Sequence, residues 1–217
     1  MIRRKISCSD MCDEQEAGVM KTYGVAVFGI GWVAREHIKA YGKNPHMKVT
    51  ALASRRRLSA QAAKDDLALD CHVVNNFDEL LSREDIDVID ICSPNVLHAE
   101  EAVATAEAGK HVVIEKPIAM NLGELQAIRN ATGKAKVKSQ VGFVLRWNPP
   151  VQSIRNMIDK GGLGNLYCTE VDYYHEIGPW WSGWNWGAAT RKGGPSASLV
   201  AGCHAVDLLW EERTRCQ

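Results

Sequence analysis

Glycine spacing carries the first chemical signal in the sequence. Gly29-Ile30-Gly31-Trp32-Val33-Ala34 is a G-x-G-x-x-A run between an apolar stretch ending at Phe28 and a helical stretch leading to His37. In such a run the first glycine permits a tight turn, and the second lets a pyrophosphate approach the main chain. The small third residue lets the helix pack closely on the strand. The N–H groups at the helix start then face the anion, so Gly29, Ile30, Gly31, Trp32 and Val33 are the expected phosphate contacts. A tight turn with no ligand is the competing reading.

The next apolar run, Val49–Ala53, ends in Ser54-Arg55-Arg56-Arg57. An NAD-binding fold usually places an acid there to hold the ribose 2′-hydroxyl. A carboxylate would repel a 2′-phosphate, whereas Ser54, Arg55 and Arg56 offer a hydrogen bond and charge-assisted pairs. NADP is expected, with NAD as the alternative. The bland reading is a solvated helix start, although cations at a helix N-terminus oppose its dipole. Two further segments, Cys92-Ser93-Pro94-Asn95-Val96-Leu97-His98 and Glu115-Lys116-Pro117, each follow a buried run. In a parallel sheet that position is the ligand-binding edge.

The elements that position these residues alternate. Short β-rich runs (Tyr23–Ile30, Lys48–Ala53, Asp87–Cys92, His111–Ile114, Val137–Val144) are separated by helical stretches (Val33–Tyr41, Leu58–Leu69, Leu97–Ala108, Leu122–Thr132). Continuous apolar strands joined by amphipathic helices predict a doubly wound parallel α/β sheet of Rossmann type. The 217 residues allow one domain and a part, or two small ones. The reading divides them into a polar leader (1–21), a nucleotide-binding domain (22–147) and an incomplete α+β second domain (148–217). In that last part the spacing predicts a helix after Pro149-Pro150, one strand over Gly164–Ile177, and a helix over Ser196–Glu212. Between strand and helix lies a loop carrying Trp180, Trp181, Trp184 and Trp186, more often core or interface than a sugar-stacking surface.

With 26 basic and 26 acidic side chains the net charge is zero, which argues against a nucleic-acid or anionic-membrane partner. No apolar run approaches the roughly 20 residues of a membrane span, and residues 1–18 lack the apolar core of a signal peptide. A cytoplasmic location is expected. Seven scattered cysteines without a C-x-x-C pair read as reduced thiols rather than a metal site. His37, His46, His72 and His111 show no ligand spacing and are assigned ordinary structural or surface roles.

Together the motifs resemble the Gfo/Idh/MocA family of NAD(P)-dependent oxidoreductases. The likeness runs from about Tyr23 to Trp210. It includes the glycine turn, Ser93-Pro94-Asn95 with His98, Glu115-Lys116-Pro117, Arg146-Trp147-Asn148-Pro149, and Gly202-Cys203-His204-Ala205-Val206-Asp207. The resemblance implies a lysine, Lys116, beside nicotinamide and substrate, with Glu115 and Pro117 shaping its turn; the Lys116–Pro117 bond is a candidate for cis. It also implies that His204 is the general acid/base on a hydroxyl or carbonyl of a sugar, polyol or cyclic diol. His98 either approaches the nicotinamide ribose or packs locally. Arg146 and Trp147 are candidate cofactor contacts, while His175 and Tyr174 are candidate substrate contacts.

One position departs from the family pattern. Many members carry an acid four residues before the histidine, and Val200 stands there in this chain. Asp207 is the nearest acid on the helix, either orienting His204 or facing solvent. Members are also usually longer, and most of the second-domain sheet, through which homologues often associate as homo-oligomers, follows the histidine helix. The expectation is therefore a truncated, spliced or fragmentary form. Two classes remain open: an NADP-dependent dehydrogenase or reductase, and a non-catalytic dinucleotide-binding sensor or partner of an intact subunit.

Overall fold

Six parallel strands form the sheet in the order β3-β2-β1-β4-β5-β6. They are β1 (Tyr23–Phe28), β2 (Met47–Ala53), β3 (His72–Val74), β4 (Val88–Ile91), β5 (His111–Ile114) and β6 (Ser139–Val141). Helices α1 (Trp32–Tyr41), α2 (Arg57–Asp66), α3 (Phe77–Ser82), α4 (His98–Glu107) and α5 (Leu122–Ala135) connect them. The computed structural model describes residues 21–55, 57–74, 76–174, 196 and 198–213. Among these, no helix is long and apolar enough to cross a membrane.

Successive side chains of a strand point to opposite faces, and β1 uses both. Val25 and Val27 pack with Ala34 and Ile38 of α1 and Ala60 and Ala63 of α2. Ala26 and Phe28 pack with Leu80 of α3, Ala102 and Ala106 of α4 and Ile128 of α5. Burial on both sides is why β1 and β4 are apolar nearly throughout, with Asp90 the one charged residue of β4. The strand order reverses between β1 and β4, which opens a crevice at their C-terminal ends where ligands bind in such sheets.

Beyond β6, a 3-10 turn (Val144–Trp147) leads to α6 (Pro149–Asp159), and a π turn (Ser198–Gly202) leads to α7 (Cys203–Arg213). The expected strand over Gly164–Ile177 is not formed in Gly164–Tyr174; residues 175–177 lie outside the described ones. A strand needs a ladder partner for its main-chain groups, and none of the described residues supplies one. Tyr167 and Tyr174 are accordingly more than nine-tenths exposed. β3 and α3, three and six residues long, are too short to show a period in the sequence. The helical stretch expected over Leu58–Leu69 overruns α2, which stops at Asp66.

Candidate dinucleotide and substrate site

The turn after β1 is held from two sides. Gly29 has φ +88°, and a Cβ there would lie 2.5 Å from the main-chain nitrogen of Ser93, so only glycine fits. Its N–H donates to the carbonyl of Ala53 at 2.9 Å. Helix α1 then starts at Gly31 with no side-chain cap and no acid in its first turn. By contrast, α3 and α5 are capped by Asn76 and Asn121, whose side chains accept from Glu79 and Glu124 main-chain N–H groups. Among the described residues the N–H groups at the start of α1 thus have no side-chain acceptor, which is the condition for holding a phosphate. Around them Ile30 and Val33 are half-buried and Trp32 is exposed.

Ser54 is buried at the end of β2 with Arg55 exposed beside it; Arg56 lies outside the described residues. Across the crevice Ser93 is buried, and its hydroxyl donates to the Glu101 carboxylate of α4. Burial pushes the Glu101 pKa up to about 7, against the lowering effect of Ser93 and of the Arg55 charge. Pro94 and Asn95 are half-buried on the 3-10 turn Asn95–Leu97 that enters α4.

His98 is fully buried. Its ring nitrogens lie 2.8 Å from the carbonyl oxygen of Pro117 and 2.9 Å from that of Ser93. This geometry favours the packing role: the ring ties the segment after β4 to the turn after β5.

That turn carries Glu115, Lys116 and a cis Lys116–Pro117 bond. Lys116 Nζ donates to the Val200 carbonyl at 3.2 Å, which joins the sheet edge to the π turn before α7. His204 is buried on α7, with its ring stacked on Tyr173 (centroids 5.6 Å apart) and edge-on to Phe143. Its Nδ1 has no hydrogen-bond partner among the described residues. Burial, reinforced by the Lys116 charge, holds the imidazole below its ordinary pKa; Glu115 and Asp207 oppose this. A buried, neutral ring with a free nitrogen is suited to take a proton.

Asp207 does neither of the things expected of it, because it accepts both arms of the Arg146 guanidinium. That pairing turns Arg146 toward α7, and Trp147 is exposed. His175 and the tryptophan loop lie outside the described residues. A cavity of about 430 Å³ beside α7 is lined by Phe143, Leu199, Cys203, Val206, Asp207 and Trp210; neither Lys116 nor His204 lines it.

The spacing of the sequence did not reveal a polar cluster beneath the crevice. His37 Nδ1 lies 2.8 Å from Asp90 Oδ2, and Nε2 lies 3.4 Å from Glu115 Oε1. Tyr41 donates to Asp90 at 2.9 Å, and the Cys92 thiol donates to it at 3.5 Å. The ligand-capable atoms of His37, Asp90 and Cys92 lie within 4.8 Å of one another, and they are joined by mutual hydrogen bonds. Burial, then the Asp90 and Glu115 charges, push the Cys92 thiol well up. Only the alternation of strand and helix hints at this cluster: it places His37 one turn into α1 and the other two on β4 and at its end.

Residues 23–143 match the Gfo/Idh/MocA oxidoreductase family, described as an NAD-binding Rossmann fold. The chain belongs to this family. An inositol 2-dehydrogenase of Salmonella typhimurium is 30% identical over 156 residues, which are 71% of this chain and 46% of the relative. Among solved structures, an oxidoreductase domain protein from Kribbella flavida superposes with a TM-score of 0.74 at 28% identity, covering 90% of this chain and 53% of its own. A levoglucosan dehydrogenase in complex with NADH and levoglucosan gives 0.63 at 29% identity, covering 67% and 41%. The chain spans about half the length of the curated Gfo/Idh/MocA relatives it matches.

Proposed function

We propose that the chain is an NADP-dependent oxidoreductase that interconverts a hydroxyl and a carbonyl on a sugar, polyol or cyclic diol. One observation supports the reading: Lys116 at the sheet edge donates to the carbonyl of Val200, four residues before the buried His204 of α7. The uncapped start of α1, the Gly29 turn, Ser54 and Arg55 would hold the dinucleotide, with Ser93, Pro94 and Asn95 closing the opposite side. When bound, the nicotinamide supplies the acceptor for the hydride that leaves the substrate carbon. His204 takes the hydroxyl proton, and the Lys116 ammonium stabilises the negative charge that grows on the oxygen. His175 is a further substrate contact in this scheme.

Residues 22–147 would form the nucleotide-binding unit and 148–217 the start of the substrate unit, in the cytoplasm. The polyhydroxy substrates named for the inositol and levoglucosan dehydrogenases support the substrate class.

A second reading, a non-catalytic dinucleotide-binding protein, is favoured by the Lys116 amine already donating to Val200, at the position where many relatives carry an acid. One experiment separates the two. Sugars, polyols and dihydrodiols are assayed by NADPH absorbance, with Lys116→Ala and His204→Ala alongside. Turnover lost in both variants supports the enzyme, and turnover that survives both substitutions removes these residues from the mechanism. NADPH binding without turnover selects the second reading.

A further inference from the structure

We propose that His37 is a positioning residue for Lys116, its ring transmitting the placement of helix α1 to the turn from which the lysine projects. The inference rests on the role given to Lys116 above.

Helix α1 begins at the glycine turn, and His37 lies in its second turn. The two ring nitrogens face two carboxylates, Asp90 on β4 and Glu115 just after β5. Only a doubly protonated ring donates to both. Burial opposes that charge, but the two carboxylates outweigh it and raise the His37 pKa to about 10. The remaining oxygen of Glu115 accepts the Lys116 main-chain N–H at 3.2 Å.

Glu115 is seated against Gly142, where an added Cβ would lie 2.3 Å from Oε1, so a glycine at 142 is what leaves room for this carboxylate. Asp90 is fully buried and further held by the Tyr41 hydroxyl and the Cys92 thiol. Of the titratable groups that face the ring, then, Asp90 and Glu115 hold it, while Tyr41 and Cys92 fix Asp90. The chain of contacts runs from the phosphate-binding helix through His37 and Glu115 to the main chain of Lys116. A displacement of that turn by about 1 Å costs up to about a hundredfold in rate.

The test uses the full chain and His37→Gln, which keeps a donor but not the charge. Acetylation of each lysine by acetic anhydride at fixed pH is followed by mass spectrometry, with exposed Lys39 and Lys48 as internal references. The expected result is a severalfold rise at Lys116 alone as its amine leaves Val200; an unchanged Lys116 overturns the proposal. This readout needs no turnover, so an inactive wild type would sink the enzyme reading and leave the present inference standing. With an active substrate, kcat falls about tenfold or more while the KM for NADPH barely changes. Parallel losses in kcat, cofactor affinity and thermal midpoint would mean a structural role only and overturn the proposal. Glu115→Gln, read by the same labelling, repeats the test if the first variant does not fold.

Discussion

Arg146 and Asp207 form a two-pronged ion pair between the 3-10 turn after β6 and helix α7. The Nε–Oδ2 separation is 2.8 Å, and Asp207 is buried while the arginine side chain is 37% exposed. The pair anchors α7, and with it His204, against the sheet-bearing part of the chain. Asp207→Ala should lower stability by about 2 kcal/mol, less than a fully buried pair costs because Arg146 can still reach water. Urea denaturation of both single variants and the double variant gives the coupling; additive effects would show that the pair does not hold the helix.

Arg55 carries the cofactor preference in the proposed function. Arg55→Ala should weaken NADPH binding about tenfold, the worth of one charge-assisted contact, and leave NADH binding unchanged. Fluorescence titration with both nucleotides measures it. Tighter binding of NADH by the unaltered chain would remove the preference altogether.

Glu101 sets a pH dependence in the acidic range. Its folded pKa of about 7, against 4.5 when free, means that the folded chain holds this proton more tightly than the unfolded one. Stability therefore declines as pH rises from about 4.5 to 7 and is level with respect to this group above that. Glu101→Gln should flatten the slope and raise the thermal midpoint at pH 8. A variant less stable than wild type at that pH would contradict the assignment.

His37 acts over the opposite window. With a folded pKa raised from 6.5 to about 10, its contribution is fully present below 6.5 and is lost as pH rises through 10. Thermal scans from neutral to strongly alkaline pH should show a decline that is absent in His37→Gln.

Gly29→Ala tests the turn itself. Alanine at φ +88° with its methyl against the Cys92–Ser93 main chain should cost about 2 kcal/mol or more. The same change should abolish dinucleotide binding, measured by NADPH fluorescence. Retained binding would show that the turn adapts and does not dictate the site.

Much of this was legible beforehand. The glycine turn, the strand ends and the two segments at Ser93 and Glu115 lie where the alternation of apolar runs and amphipathic stretches puts them. That signal is local, and both flanking elements are long enough to show a period. What escaped is spatial. His37 reads as an ordinary structural or surface histidine, because nothing in the sequence near it points to carboxylates on β4 and beyond β5.

Asp207 reads from the sequence as either orienting His204 or facing solvent, whereas its partner arrives from the turn after β6. The comparison of Val200 with an acid four residues before His204 assumed a regular helix, yet Ser198–Gly202 is a π turn. Wider winding rotates the side chains before it out of line with those after it. Val200 therefore enters the site through its main-chain carbonyl, which no residue-type pattern encodes.

The cluster under the crevice also bears on how the chain folds. His37 and Asp90 stand 53 residues apart, and Glu115 comes from a third element, the segment just after β5. Parallel strands close no hairpin, so such contacts form only after long loops have been ordered. Until α1 and the segment after β5 have docked on β4, Asp90 is a charge in an apolar strand without its partners, and a half-assembled sheet is penalised. The polar groups beside the ligand crevice thus act against partially folded intermediates, making docking of the central strands and formation of the site a single cooperative event.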